Sequence, residues 1–230
     1  MDYLSEAVKK AFWLIIHLDR ELAIIVWTSL RVSVTSTILA SIVGVPAGFA
    51  VAIAQFRGKH HVEVALNTSM ALPTVVVGLT VYSFISRRGP LGAYGLLFTP
   101  TAMAIGQFIL ATPIIAALSL SATKSIDARV GETARTLGAN TIQTAAAILN
   151  EGRYAILVAV AAGFGRVIAE VGSAMILGGN IQGYTRTMTT AIALETGKGE
   201  FALAMALGII LLLIALSVNA IVQSFRLRVT

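Results

Sequence analysis

Arg166 and Glu170 carry opposite charges in an otherwise apolar segment, which makes them candidates for a functional site. They lie four residues apart, so a helix would carry both on one face, one turn from each other. An unpaired charge at the centre of a bilayer costs about 2.5–3.5 kcal/mol, so ionisable residues at that depth are candidates for function. Two chemistries fit this charged pair. One is a salt bridge that locks packed helices; the other is a polar constriction that opens when helices part, or that attracts an anion.

The same segment carries a row of small residues beside the charged pair. They recur at four-residue intervals, at Ala161, Gly165, Ala169 and Ser173. Small side chains let the backbone of a second helix approach closely within a membrane. We therefore expect this face to contact another helix.

A second constellation is the polar stretch 127–150 (DARVGETARTLGANTIQTAAAILN), which interrupts a series of hydrophobic segments. Ser125 predicts an N-cap with Asp127 in the first helical turn, where the helix dipole favours a carboxylate. Gly138 fits the position that ends this helix, and Asn140 with Gln143 predicts a capping box for a second one. We name this helix–turn–helix the polar hairpin.

Apolar residues predict one packing face on each helix of the polar hairpin. The first face comprises Ile126, Val130, Ala134 and Leu137, and the second comprises Ile142, Ala145, Ala146 and Leu149. A membrane protein has little reason to project such a structure into water unless a soluble partner binds there. The alternative is a surface hairpin that only covers the ends of the membrane spans.

The composition indicates a membrane protein, with 57% hydrophobic residues, 12% charged residues and a mean hydropathy of +0.84. A soluble domain carries about 25% charged residues. The net charge of +6 lies in short loops without interleaved aromatic residues, a pattern typical of lipid head-group contact and not of nucleic-acid binding. No cysteine is present and the three histidines lack helical partners, so we predict no metal site. No paired aspartates, Ser/His dyad or H-E-x-x-H motif predicts catalytic residues.

The hydropathy pattern predicts an all-α integral membrane protein with about five transmembrane helices. Residues 1–21 form an interfacial amphipathic helix, and residues 22–230 form a single transmembrane domain. The predicted spans are 32–54, 67–85, 101–120, 156–177 and 201–222, with a loop at 121–153 that contains the polar hairpin. Residues 178–200 are interpreted as a polar return loop. Basic residues are nearly equal in number on the two sides, so the positive-inside rule does not orient the chain.

Two residues refine the predicted spans. Arg31 lies where the long apolar segment 22–56 exceeds the thickness of a bilayer, so we place it at an interface, where its side chain can snorkel to water. Pro73 is predicted in the middle of the second span, where it would bend a continuous helix.

The centre of the polar hairpin resembles a motif of a known family. Glu132, Thr133 and Ala134, followed after three residues by Gly138 and Ala139, are similar to the E-A-A-x-x-x-G loop of permease subunits of ATP-binding-cassette (ABC) importers. Thr133 stands where the family usually has alanine. The resemblance implies that these five residues couple the chain to a cytoplasmic ATPase, with a coupling helix that inserts into a groove of that subunit.

The segment around the charged pair carries a second resemblance. Residues 165–180 (GRVIAEVGSAMILGGN) are similar to the R-x-x-x-E-x-G…GN segment of oxyanion permeases, and 184–193 (YTRTMTTAIA) look most like the tungstate members. This implies a type I importer permease (MetI-like) in the cytoplasmic membrane of a prokaryote, carrying tungstate or molybdate. It further implies a homodimer, an ABC ATPase dimer and an extracytoplasmic oxyanion-binding protein as partners. Arg166 and Glu170 then line the translocation path or its gate.

The resemblance also implies how ATP is used. The chain has no G-x-x-x-x-G-K-[ST] loop, so it is not the ATPase. We expect it to bind no cofactor itself, and ATP with Mg²⁺ to bind the partner ATPase. An alternative reading is an ATP-independent secondary transporter or channel gated by the charged pair, which would need no partner protein.

Overall fold

The computed structural model describes residues 2–17 and 19–227, with side chains for 6–17 and 19–224. In chain order the helices are α1 (Asp2–Ile16), α2 (Arg20–Ile53), α3 (Lys59–Ser69), α4 (Thr74–Ile85), α5 (Pro100–Lys124), α6 (Ala128–Thr136), α7 (Thr141–Glu151), α8 (Arg153–Ile168), α9 (Gly172–Gly178), α10 (Met188–Lys198) and α11 (Phe201–Leu227). A single 3-10 turn, Gly92–Tyr94, lies between α4 and α5.

Among the described residues, three helices are each long and apolar enough to cross a membrane: α2, α5 and the Phe201–Ser224 part of α11. Two further spans arise if each of two bent pairs counts as one: α3 with α4, bent by 95°, and α7 with α8, bent by 68°. The prediction of an all-α membrane protein is confirmed. Three to five spans make the chain a multi-pass membrane protein.

Helices α2 and α5 pack along each other in the same direction. Ser36 contacts Gln107 near one end, and Gly48 lies against the backbone of Ala116 and Leu120 near the other. A side chain at Gly48 would collide with that backbone, so glycine is what permits the close approach. This closely packed helix pair forms the centre of the bundle.

The predicted second span is wrong as a single helix. α3 ends at Ser69, and α4 begins at Thr74 in a new direction, with Pro73 as its N-cap and not as a mid-helix residue. Proline lacks the backbone donor that a continuous helix needs, and it disfavours helical geometry at Leu72 before it. The span therefore breaks at Pro73 instead of bending through it.

The predicted fourth span, 156–177, is also interrupted. α8 ends at Ile168, and the short helix α9 begins at Gly172. No proline marks this break, which is held by side chains from other parts of the bundle. The region 178–200, interpreted as a polar loop, contains α10, whose first turn is closed by a capping box between Thr187 and Thr190.

Helix α1 packs against the rest of the protein through small residues. Ala7 and Ala11 are buried, whereas Phe12, Trp13 and Ile16 are exposed beside Lys9 and Lys10, an amphipathic pattern. The side chain of Leu4 and all of Leu18, both in the predicted interfacial helix, lie outside the described residues, as does Arg228 at the other end. The helix ends at Ile16, and Asp19 caps the next one by accepting from the N–H groups of Glu21 and Leu22.

Candidate functional site

Arg166 and Glu170 form the ion pair that the sequence predicts, but not on one continuous helix. Nη1 of Arg166 lies 3.0 Å from Oε2 of Glu170. The Glu170 side chain is 2% exposed and that of Arg166 is 40% exposed. The carboxylate is therefore inside the bundle, in the break after α8, while the guanidinium reaches from the end of α8 to the surface.

The break that carries Glu170 is held by hydrogen bonds. The other carboxylate oxygen, Oε1, accepts from the backbone N–H of Ser173 at 3.1 Å, at the start of α9. The backbone carbonyl of Glu170 accepts from Oγ1 of Thr189, on α10, at 2.7 Å. A helix break in a membrane leaves backbone groups that water cannot satisfy, and these bonds satisfy two of them. Glu170 thus joins α8, α9 and α10.

Gln107 is a buried residue of the site that the sequence patterns do not single out. Its Nε2 donates to the backbone carbonyl of Val167 at 3.1 Å, and its Oε1 accepts from Oγ of Ser36 at 2.9 Å. One amide therefore links α2, α5 and the end of α8, three residues before Glu170. The available signal was a lone amide in an apolar span, because such a group must find partners.

The other polar residues of the predicted spans mostly bond their own helices. The hydroxyls of Thr68, Ser69 and Thr112 donate to the carbonyls of Val64, Ala65 and Phe108. Each partner lies four residues earlier, a bond that leaves the hydroxyl no free donor for another helix. These three residues do not contribute to the break.

The two interrupted spans meet where they are interrupted. A Cβ at Gly172, the first residue of α9, would lie 3.0 Å from Oγ1 of Thr74, the first residue of α4. Farther along, a Cβ at Gly78 would lie 3.0 Å from Cα of Ser173. Irregular backbone at membrane depth occurs where it is buried in protein or lines a water-filled cavity. The charged pair lies at this junction.

The row of small residues is divided by the break. Gly165 and Ala169 are exposed, and a Cβ on Gly165 would meet no atom within 4 Å. Ser173, predicted on the same face, is buried between Gly78 of α4 and Gly106 of α5. The prediction of one continuous stripe is wrong because α9 does not continue the rotation of α8. The open part of the stripe ends beside Arg166.

The polar hairpin forms as two helices, with one corrected cap. Asp127, and not Ser125, caps α6, and its Oδ1 accepts from the N–H of Arg129 at 2.9 Å. Ser125 instead ends α5. The side chain of Arg129 bonds the Asp127 carboxylate, and together with the backbone bond it holds the pKa of Asp127 below its usual value.

The elbow of the polar hairpin has the predicted glycine geometry. Gly138 has φ of +85°, a left-handed conformation. The N–H of Gly138 donates to the carbonyl of Arg135 and that of Ala139 to the carbonyl of Ala134, both at 3.0 Å, which is the Schellman pattern. The capping box of Asn140 with Gln143 is present. These local predictions are confirmed.

The predicted apolar faces of the polar hairpin are only partly correct. Leu137 is 83% exposed and Ile142 is 80% exposed, on either side of the elbow. The two helices pack instead through Gly131, which faces Ile148 and Thr144. Of the motif residues, Glu132, Thr133 and Gly138 are exposed, and Ala134 and Ala139 are partly buried. The tip therefore presents two large apolar side chains to its surroundings.

The base of the polar hairpin is tied to the bundle by lysines. Lys124, the last residue of α5, pairs with Glu63 of α3 at 2.7 Å. Nζ of Lys59 donates to the carbonyls of Ala52 and Ala54 at the end of α2. These contacts join α3 to the ends of α2 and α5, next to the point where the hairpin begins.

The opposite end of the bundle carries a network of ion pairs that the sequence did not reveal. Arg186 lies 3.4 Å from Glu21 and 3.9 Å from Glu195, and Lys198 lies 2.9 Å from Glu195. Gln182 donates to Glu21 at 2.7 Å. The network connects the start of α2 with α10, the helix that also holds Glu170 through Thr189.

Comparison with known proteins identifies the family. No protein-family model matches the chain. It is 38% identical over 226 residues to the tungstate uptake system permease protein TupB of Peptoclostridium acidaminophilum, covering 98% of this chain and 99% of that one. It is 40% identical over 226 residues to TupB of Campylobacter jejuni, covering 98% and 95%. A probable anion ABC transporter permease of Haloferax volcanii is 43% identical over 205 residues, covering 87% and 88%.

Solved structures show the same fold. A chain of the MetNI methionine ABC transporter in an inward-facing conformation superposes with a TM-score of 0.73 at 18% identity, covering 95% of this chain and 97% of that chain. A chain of a bacterial alginate ABC transporter superposes with a TM-score of 0.73 at 19% identity, covering 95% and 82%. By its sequence relatives, the chain belongs to the family of permease subunits of ABC importers that includes the tungstate uptake permeases.

Proposed function

We propose that this permease carries tungstate into the cytoplasm of a prokaryotic cell, with molybdate as the nearest competing substrate. The observation that supports it is the identity of 38–40% to two permeases named for tungstate uptake, over 98% of the chain. Permeases named for sulfate transport are more distant, at 25–28% identity. Tungstate and molybdate are tetrahedral dianions of similar size, and we assign their discrimination mainly to an extracytoplasmic binding protein.

The polar hairpin is the proposed contact with the ATPase. Leu137 and Ile142 project from its tip, and the motif residues Glu132 and Gly138 lie beside them. Large exposed apolar side chains outside a membrane suit a protein partner. ATP and Mg²⁺ bind that partner in this proposal, and the hairpin transmits its movement through the joined ends of α2, α3 and α5.

We further propose a homodimer around the transport path. A single chain of at most five spans is too small to enclose a gated path comfortably. The exposed residues Gly165 and Ala169 of each α8 would face their counterparts across a two-fold axis, because small side chains permit close helix contact. Arg166, half exposed beside them, would then face the path from both protomers.

The charged pair is the proposed gate. Arg166 carries a partly exposed charge, and Glu170 anchors it to the break between α8 and α9. ATP binding would draw the hairpins together and open the dimer outward to receive the oxyanion. Hydrolysis would return it to the inward-facing state. A guanidinium freed from its carboxylate is a ready partner for a passing dianion.

The test is uptake of radiolabelled tungstate into proteoliposomes, with and without the ATPase subunit and ATP. We expect uptake to require both, and unlabelled tungstate to compete better than molybdate or sulfate. Better competition by sulfate would reject the substrate assignment while leaving the importer class intact. Flux that persists without ATP would instead support a secondary carrier gated by the charged pair.

A further inference from the structure

A groove on the outer surface of the bundle has no part in the proposed transport path. It is a cavity of about 450 Å³ between α2 and α5. Its polar residues are Arg31, Thr35 and Thr101, and Leu39, Ile42 and Phe108 are among its apolar ones. The polar residues lie at one end and the apolar residues extend from there, so the groove is itself amphipathic.

The groove has the length of one leaflet of a bilayer. Arg31 and Ile42 are 11 residues apart on α2, which is about 16 Å along a helix. Half of the hydrocarbon core measures about 15 Å. Arg31 shares the cavity with Pro100, the first residue of α5, at the end opposite the polar hairpin. The charged end therefore lies at head-group depth, and Ile42 lies near the bilayer midplane.

Arg31 is the charged residue of the groove. It is exposed, and among the described residues no carboxylate forms an ion pair with it. Its neighbours Val34, Ile38 and Ile42 are large exposed apolar residues, as expected of a lipid-facing helix. A guanidinium in this position is best neutralised by an anion that its planar donors bind in pairs, and a phosphate fits that geometry.

A second copy of the chain fits the groove poorly. From Ile53 back to Leu22 on α2, and throughout α5 and α11, the sequence has no acidic residue. The one carboxylate within the α8–α9 span belongs to Glu170, and Arg166 already pairs with it. A neighbouring protomer that covered the groove with the apolar stretch of α2, α5, α8 or α11 would therefore bury Arg31 without neutralising it, at the cost of desolvating the charge.

We propose that this groove binds an anionic phospholipid of the extracytoplasmic leaflet, with its phosphate on Arg31 and one acyl chain along α2 and α5 toward Phe108. The leaflet follows from placing the polar hairpin in the cytoplasm. The lipid fills a depression that both helices line, and it bridges α2 and α5 at the membrane-facing surface.

The experiment uses the full chain in nanodiscs that contain phosphatidylcholine with a minor fraction of photoactivatable phosphatidylglycerol. After illumination, mass spectrometry locates the lipid adduct on tryptic peptides. We expect labelling of α2 and α5 beside the groove, and a decrease of about fivefold in Arg31→Ala, with partial retention in Arg31→Lys.

Two tryptophan variants keep the test independent of charge and of folding. Leu39→Trp fills the groove and should remove the adduct, whereas Ile38→Trp adds the same side chain to the neighbouring exposed position outside the lining and should leave it. Equal labelling in wild type, Arg31→Ala and Leu39→Trp would overturn the proposal. So would efficient disulfide cross-linking between protomers through cysteines placed at Ile42, because a second copy would then cover the groove. Lipid labelling is measured without tungstate transport, so the lipid site and the tungstate substrate can each be rejected without affecting the other.

Discussion

The guanidinium of Arg166 lies 3.0 Å from the carboxylate of Glu170, although the helix that carries Arg166 ends at Ile168. The pair therefore spans a helix end and a break instead of a regular helical turn. Its two members differ in environment, since the carboxylate is enclosed and the guanidinium is partly exposed. In the proposed gate, such an arrangement would release its cation toward the path while the anion stays bonded to the N–H of Ser173.

Removing one member of the charged pair should destabilise the protein more than removing both. In Arg166→Ala the buried carboxylate loses its counter-ion, and we expect the free energy of unfolding to fall by about 1–3 kcal/mol. This is less than for a fully buried pair, because Arg166 is partly exposed. The double variant Arg166→Ala/Glu170→Ala should be more stable than Arg166→Ala alone. Thermal unfolding in detergent is measured for the wild type, the two single alanine variants and the double variant. Additive effects of the single substitutions would show that the two residues are not coupled.

Gln107 is predicted to position the break that carries Glu170. Gln107→Leu removes the donor to Val167 and the acceptor for Ser36. We expect the free energy of unfolding to fall by about 1–2 kcal/mol and ATP-driven uptake to become slower. The control is Thr112→Val on the same helix, because its hydroxyl bonds only the carbonyl of Phe108 one turn before. Thermal unfolding and uptake are measured for both. Equal effects of the two substitutions would contradict a special role for Gln107.

Gly138 tests the geometry of the elbow without touching its neighbours. Apart from its two chain neighbours, no atom of the permease lies within 4 Å of a Cβ added there, so within the permease a substitution acts mainly through the backbone, whose φ is +85°. Gly138→Val should strain the elbow by more than about 1 kcal/mol, because a β-branched residue does not suit this backbone conformation. We expect it to abolish ATP-driven uptake while the membrane spans stay folded. Gly138→Asn is the matched control, since asparagine tolerates the left-handed conformation and should retain most uptake. Equal uptake by the two variants would count against the elbow assignment.

Local features of the polar hairpin could be predicted because the sequence itself contains both partners. The turn at Gly138 and the box of Asn140 with Gln143 depend on residues within a few positions. The cap of α6 was displaced from Ser125 to Asp127 because both residue types suit that position and periodicity does not choose between them.

The break between α8 and α9 could not be predicted, since distant residues hold it. Val167 accepts from Gln107, 60 positions away, and Glu170 accepts from Thr189, 19 positions away. Hydropathy measures how apolar a segment is and carries no information on such partners, so 156–177 is predicted as one continuous span. The break between α3 and α4 differs, because Pro73 marks it within the segment, and only the choice between a bend and a full break was missed. The exposed Leu137 and Ile142 were likewise assigned to packing faces, because helical spacing does not say what a face packs against.

The exposed apolar tip of the polar hairpin provides a direct test of docking. Leu137→Ser and Ile142→Ser alter side chains that are 83% and 80% exposed, so neither should change thermal unfolding of the isolated permease by more than about 0.5 kcal/mol. Both should weaken binding of the ATPase subunit, by about tenfold or more for the double variant, because apolar anchors dominate such interfaces. The comparison variant is Ile148→Ser, whose side chain packs against Gly131 within the hairpin. Ile148→Ser should lower the unfolding temperature of the permease, whereas Leu137→Ser should leave it unchanged. Pull-down of the ATPase and uptake are measured together. Unchanged binding in the double variant would place the ATPase contact elsewhere on the cytoplasmic surface, and the hairpin would then only cover the ends of the spans.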